Sequence, residues 1–373
     1  MAMVLDCYAS AAFGLEGLVA AELKSLGMNE VRTENGGVRF SSSASDLFLC
    51  NFQLHYCDRV FVLLASGVCK TFDSLFRLAD SVDWQALFSG KESIDVSCKC
   101  TRSTLMSPRD CQSVTKKAVI EKLKRQTGQT VFPESGPSLP VHIVIRNDEA
   151  RILLNTSGNA LSKRGYRTWN GEAPLKETLA AALVGLSPWR PGMPLHDPCC
   201  GTGTILVEAA FRASGRAPGL GRSFAMEELK CFRSVDFSSL RSGLESAVRY
   251  SAITRISGSD TDPDALELAS RHIRQAGLEA ASVPLFRAPL QELVLGEENG
   301  VFICNPPYGE RLGDQEECRR LYRELRLLKD RHHGWRLCAI SSDPAFERSY
   351  GKRADKKRRL YNGRLECVYY IYY

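Results

Sequence analysis

Two short segments carry residues whose types and spacing can do chemistry: Asp197-Pro-Cys-Cys-Gly-Thr-Gly203 and, further along, Asn305-Pro-Pro-Tyr308. In the first, Gly201 and Gly203 let backbone approach a ligand closely before a helix predicted over residues 204–212, with Pro198, Cys199 and Thr202 completing the cradle. The third glycine of a dinucleotide fingerprint is missing, so a small ligand is implied rather than a pyrophosphate. Asp197 can accept hydrogen bonds from a ligand ammonium or from loop amides. Asp260 and Asp262, in Gly258-Ser-Asp-Thr-Asp262, follow a second strand, and either could hold two ribose hydroxyls. In the second segment, the Asn305 side-chain oxygen and the Pro306 carbonyl can accept both N–H bonds of an exocyclic amine. That grip turns a delocalised lone pair toward an electrophile, while Pro307 stiffens the turn and Tyr308 can stack on the base. A base so gripped must be unpaired or flipped out. The pair of motifs points to an S-adenosylmethionine-dependent amino methyltransferase that needs no metal.

These residues require a parallel sheet that brings several strand ends to one edge. Runs at Leu195–Asp197, Ile256–Asp260 and residues 301–305 read as its strands, alternating with helices from Pro194 onward, as in a doubly wound α/β sheet. An alanine- and leucine-rich helix is predicted over residues 175–186. The span between the first two strands holds an inserted segment, from Ala213 to the neighbourhood of Ser251. Near the end, Asn362-Gly363 separates two strand-like runs, and Asn-Gly favours a two-residue type I′ hairpin. An antiparallel hairpin is thus expected to close the sheet, an ending usual for class I methyltransferases.

The preceding half has a different texture. A helix is predicted over residues 13–27 with Gly27 as its stop, followed by strands at 37–40 and 60–64. A further strand at 94–98, a helix over 109–127 ending at Gly128, and two strands around Asn147-Asp148 describe a second small α+β unit. The basic, turn-rich stretch Ser162-Lys-Arg-Gly-Tyr-Arg-Thr168 marks the next boundary. Three domains are therefore expected, at residues 1–62, 63–160 and 161–373, within a chain of 373 residues.

The net charge of +6 is unevenly placed: the first 160 residues carry none of it. Within that half, residues 101–125 still concentrate basic side chains against only Asp110 and Glu121, which suits a polyanionic partner. The 14 cysteines include no Cys-x-x-Cys pair, so scattered reduced thiols are expected, not a disulfide framework or a zinc ribbon. No apolar stretch long enough to span a bilayer occurs, and the first residues carry acids where a secretory segment has bases. A soluble cytoplasmic protein is the expectation.

Taken together, these segments resemble the bacterial THUMP-domain methyltransferases that modify guanine N2 in 23S ribosomal RNA. The resemblance rests on Phe13-Gly-Leu-Glu16 with Glu22-Leu-Lys-Ser-Leu-Gly27, and on the helix of residues 107–123. It continues through Thr156-Ser-Gly158, Ser162–Arg167, Ala173-Pro-Leu-Lys-Glu-Thr178, Ala217-Pro-Gly219 and Arg222-Ser-Phe224. Asn305-Pro-Pro-Tyr-Gly-Glu-Arg-Leu312 and Arg359-Leu-Tyr-Asn-Gly363 complete it. It implies a ferredoxin-like domain, a THUMP domain that grips RNA, and a Rossmann-like domain that transfers methyl to a guanosine N2 amine in large-subunit rRNA. No obligate protein partner is implied. Three positions depart from the pattern: Phe286-Arg-Ala-Pro-Leu290 lacks the acid that contacts adenine, Asn155 stands in place of Asp, and Gly221 in place of Asn.

Further candidates follow from this reading. Glu177 can meet the methionine ammonium or act as a first-turn acid. Arg164 and Arg167 can hold RNA phosphate or the cofactor carboxylate, or form structural ion pairs. Lys116 and Lys117 on the basic helix, and Lys357 and Arg358 in the densest basic run, are expected to face RNA. His332-His333 reads as a surface loop. Two competing functions remain: an adenine-N6 DNA methyltransferase, since the Asn305 motif fits any planar amine, and a non-catalytic RNA-binding ribosome-assembly factor.

Overall fold

The computed structural model describes residues 4–167, 175–308 and 314–373. Thr168 to Pro174, which includes the start of the Ala173-Pro-Leu motif, and Gly309-Glu-Arg-Leu312 lie outside the described residues.

The first half is built on one mixed sheet. In chain order it runs β1 (Leu5–Ala11), α1 (Glu16–Ser25), β2 (Asn29–Glu34), β3 (Gly37–Ser42), α2 (Ala44–Gln53), β4 (Cys57–Val68), α3 (Phe72–Asp80), α4 (Trp84–Leu87), β5 (Ser93–Thr101), α5 (Pro108–Thr127), β6 (Ser138–Arg146) and β7 (Glu149–Asn155). Its strand order is β2-β3-β1-β4-β7-β6-β5. The expected boundary after residue 62 falls inside β4, which pairs with β1 on one side and β7 on the other. The first two units therefore share a continuous sheet.

The helix α5 starts at Ser107, whose hydroxyl accepts from the Asp110 amide, and ends at Gly128 with φ of 71°. A left-handed residue costs glycine nothing and satisfies the last carbonyls. Asn147 and Asp148 both take positive φ and join β6 to β7 as a type I′ turn.

The second half comprises α6 (Glu177–Leu186), β8 (Leu195–Asp197), α7 (Thr204–Ser214), α8 (Phe237–Ser246), β9 (Ile256–Asp260), α9 (Pro263–Gln275), β10 (Leu285–Arg287), β11 (Asn299–Cys304), α10 (Asp314–Arg331), β12 (Gly334–Ser341), α11 (Phe346–Tyr350), β13 (Lys356–Asn362) and β14 (Leu365–Tyr372). The sheet order is β10-β9-β8-β11-β12-β14-β13, parallel except where β14 pairs with its two neighbours. The order reverses between β8 and β11, which opens a crevice above their carboxyl ends. His196 fastens β8 to β9 below that crevice: its ring nitrogens lie 2.8 and 3.0 Å from the hydroxyls of Ser257 and Ser259. Burial drives its pKa down to about 3, so it stays neutral.

The closing hairpin forms one residue later than its Asn-Gly pair suggests. Asn362 still pairs with Leu365, so Gly363 and Arg364 make the loop, and only Gly363 is left-handed. A glycine at the first loop position suits a type II′ turn.

The inserted segment joins the two halves. Phe224 lies between Phe48 and Phe52 of α2, with ring centroids 5.8 and 4.9 Å away. The guanidinium of Arg222 donates to the carbonyls of Ser157, Asn159, Ala160 and Lys163, binding the connecting segment to the catalytic half. At Gly221 a methyl would sit 3.0 Å from the Arg164 carbonyl, and the Gly221 carbonyl in turn leaves no room for a side chain on Gly165. Asn155 serves where an acid is usual: its Oδ1 accepts from the amides of Ser157 and Gly158, each at 3.1 Å.

Candidate active site

The loop after β8 is a sharp turn stabilised from below. Gly201 and Gly203 have φ of 47° and 79°, and Gly203 precedes the first turn of α7. A methyl on Gly203 would sit 3.0 Å from Cβ of Ala269 on α9, so this position needs glycine for space as well as conformation. The Thr202 carbonyl accepts from Nδ1 of His272 at 3.1 Å.

Asp197 is 1% exposed and, among the described residues, receives only the Cys199 amide, at 3.1 Å. Burial pushes its carboxyl well above the usual aspartate range, and the nearby Asp260 adds to the rise. A buried carboxyl so lightly bonded is suited to a cationic ligand group.

Asp260 and Asp262 separate cleanly. Asp260, at the end of β9, accepts from the Gly201 amide at 2.8 Å and lines a cavity of about 340 Å³ at the strand ends. Asp262 turns away and caps α9 by accepting from the Asp264 amide. Of the two, Asp260 lines the cavity and Asp262 does not. Pro198 and Cys199 line the same cavity, as do Ala288, Pro289 and Gln291 after β10, Pro307 after β11, and Glu324 from α10. Gln291, an amide with both donor and acceptor, stands in the loop that lacks the usual acid. Sequence reasoning passed over it, although the carboxyl end of the third parallel strand is where such a residue belongs.

Asn305 follows β11, and the Tyr308 hydroxyl donates to its Oδ1. Tyr308 is partly buried against the core and packs beside Cys367 of β14. The acceptor expected to meet a substrate amine is thus held by a neighbour in this state. The Pro307 carbonyl is also engaged, by the Tyr322 hydroxyl at 3.1 Å.

For Arg164 and Arg167 the structure shows the ion-pair alternative and not an RNA-facing position. Arg164 is 2% exposed and pairs with Glu208 of α7, Nε to Oε1 at 3.3 Å, while donating to the carbonyls of Leu161 and His55. It belongs to the core and offers RNA nothing. Arg167 is half-buried, its Nη2 donating to Thr204 and to the Leu175 carbonyl. Its Nε lies 3.5 Å from Glu177 and is buried without a hydrogen bond. Glu177 opens α6, and burial raises its pKa against the opposing pull of Arg167. Arg167 and Glu177 therefore form a charged wall beside the first turn of α7, next to the glycine loop.

The expected RNA-facing lysines do lie at the surface. Lys116 sits 3.0 Å from Glu134, Lys117 3.8 Å from Glu121 and Lys357 2.9 Å from Glu347, all in exposed pairs. Arg358 is exposed on β13. His332 is tied to backbone, accepting from the Leu295 amide and contacting the Leu328 carbonyl. No described helix is long and apolar enough to cross a membrane.

Comparison with known proteins adds three family matches: an RlmL ferredoxin-like domain at residues 6–61, a THUMP domain at 69–155 and an RMKL-like methyltransferase domain at 164–371. Among curated relatives, the Bacillus subtilis protein named "Putative RNA methyltransferase YpsC" is 37% identical, the alignment covering 98% of this chain and 95% of the relative. Ribosomal RNA large subunit methyltransferase K/L of Shewanella frigidimarina is 30% identical over 99% of this chain, which spans only 53% of that longer protein. Two solved structures superpose along the whole chain. One, from Listeria monocytogenes, is described as a predicted N6-adenine-specific DNA methylase and is 35% identical, with a TM-score of 0.94 over 96% of its length. The other, SMU.472, was solved with S-adenosylhomocysteine and is 36% identical, with a TM-score of 0.92 over 99% of its length.

Proposed function

From the chain's membership of the RMKL-like methyltransferase family, with RlmL ferredoxin-like and THUMP domains ahead of the catalytic one, we infer that it methylates the exocyclic N2 amine of a guanosine in large-subunit ribosomal RNA. The methyl donor is S-adenosylmethionine, consistent with the S-adenosylhomocysteine held by the relative SMU.472. When bound, it supplies an electrophilic methyl group on a sulfonium.

The residues present fit that donor. The lightly bonded carboxyl of Asp197 and the Arg167 guanidinium, whose Nε meets Glu177 without a hydrogen bond, offer complementary charges to an ammonium and a carboxylate. Asp260 presents a carboxylate to ribose hydroxyls, and Gln291 with Ala288 and Pro289 forms the adenine end. Asn305 is the observation that carries the reading. Its Oδ1 accepts one N–H of the target amine once the Tyr308 hydroxyl yields, and the freed ring can then turn to the base. Accepting from the amine localises the lone pair and favours the charge that develops on nitrogen. The amine's proton leaves to solvent after transfer, so no strong base is required.

The THUMP module supports RNA over DNA, and the K/L relative supports ribosomal RNA. Incubation with labelled S-adenosylmethionine and unmodified large-subunit RNA should yield labelled N2-methylguanosine. Asn305→Ala should lower turnover by about 10²–10³ with cofactor affinity retained. Label confined to adenine in DNA would overturn the reading.

A further inference from the structure

Fourteen cysteines are scattered through the chain, yet three converge. Cys98 and Cys100 lie on one face of β5, their sulfurs 3.6 Å apart. Cys111, in the first turn of α5, faces them, and all three sulfurs lie within 4.8 Å of one another. We propose that Cys98, Cys100 and Cys111 form a binding site for one soft, thiophilic metal ion, Zn²⁺ or Cu⁺, that clamps α5 to the sheet.

Geometry favours this over simple apolar packing. A tetrahedral ion with metal–sulfur bonds of about 2.3 Å holds its thiolates about 3.8 Å apart, so small rotamer shifts suffice to close the set. Thiolate ligands select soft ions over Mg²⁺ or Ca²⁺. Access exists as well: Cys98 and Cys100 are partly exposed, whereas Cys111 is buried. Leu105, Ile143 and Ile145 pack around the cluster, giving the dry, rigid surround that holds ligands in place. No further His, Cys, Asp or Glu joins the group among the described residues, so three thiolates and one open or water-filled position are expected. Each thiol releases its proton to solvent on ligation, and no oxidant or reductant is consumed.

The consequence reaches the RNA-facing side. The same helix carries Lys116 and Lys117 about one and a half turns further on, so a bound ion would fix their position relative to β5. Metal binding itself does not depend on the methyl-transfer reading.

The test uses the full chain, reduced and stripped of metal under argon. It is loaded separately with Zn²⁺ and Cu⁺, desalted, and assayed for retained metal; Co²⁺ loading adds an absorbance readout of thiolate ligation. About one equivalent of Zn²⁺ or Cu⁺ should be retained, and the better-retained ion identifies the cognate one. Cys98→Ala and Cys100→Ala should each weaken retention more than about a hundredfold, beyond the loss expected for an outer-shell partner. Cys231→Ala, at a partly exposed thiol outside the cluster, should change nothing. Since Cys111 is in the core, Cys111→Val is read only alongside a melting curve. No retained ion, or retention equal in Cys98→Ala/Cys100→Ala and the parent, would overturn the proposal.

Discussion

Asp197 places a carboxyl where the fold alone would prefer none. Its pKa is raised, so the folded chain binds more protons than the unfolded one between the ordinary aspartate value and the raised one. Stability of the cofactor-free protein therefore falls as pH rises through that window. Asp197→Asn keeps an acceptor for the Cys199 amide and removes the buried charge. It should raise neutral-pH stability by about 0.5–2 kcal/mol in chemical denaturation while weakening cofactor binding. Calorimetry should show affinity of the parent rising with pH up to the raised pKa, since an ammonium needs the ionised partner, and a flatter profile in Asp197→Asn. Equal profiles would remove Asp197 from the cofactor's cationic end. The residue types of this site were legible in the sequence because strand, glycine loop and acid recur in a fixed order. Arg164 was not, because a basic turn motif does not reveal which way a side chain points. The signal lay elsewhere, in Glu208: a lone acid in the apolar run of α7 needs a buried cation, and it stands 44 residues away.

At the scale of elements, the parallel strands β8, β9 and β11 and the helices α5 and α7 followed from apolar runs, glycine loops and stops. α2, α3, α10 and the strands β1, β2 and β12 escaped the reading. Phe48 and Phe52 of α2 face the inserted segment, so the helix carries the burial of a domain contact instead of a simple amphipathic stripe. The hairpin register moved by one residue because the β13–β14 pairing, and the glycine at the first loop position, decide it. The loop between β8 and α7 admits a sharp prediction. Gly203→Ala adds a methyl against Ala269 at a left-handed residue. It should destabilise the chain by about 1–3 kcal/mol and abolish cofactor binding. Thermal unfolding and calorimetry check both, and unchanged binding would mean that the loop does not approach the ligand.

On the scale of the whole molecule, one continuous sheet carries the first two units and a second sheet carries the chemistry. The Arg222 and Phe224 contacts fix their relation. The sequence led to an expectation of three units but not to this continuity, because β4 serves both sides of the expected boundary and long-range pairing leaves no local mark. The proposed RNA-facing surface and the proposed base site thus lie on halves joined by these contacts. Lys116 and Lys117 form exposed ion pairs that are worth little and can be exchanged for phosphates. Lys116→Gln/Lys117→Gln should lower the salt dependence of RNA affinity by about one unit of slope per lysine, measured by titration at several salt concentrations. An unchanged slope would place the RNA elsewhere. The central claim is met most directly by nucleoside mass spectrometry of ribosomal RNA from cells with and without the gene. Loss of N2-methylguanosine from the large-subunit RNA, restored by the parent gene and not by Asn305→Ala, is the predicted result. An unchanged N2-methylguanosine content would contradict it.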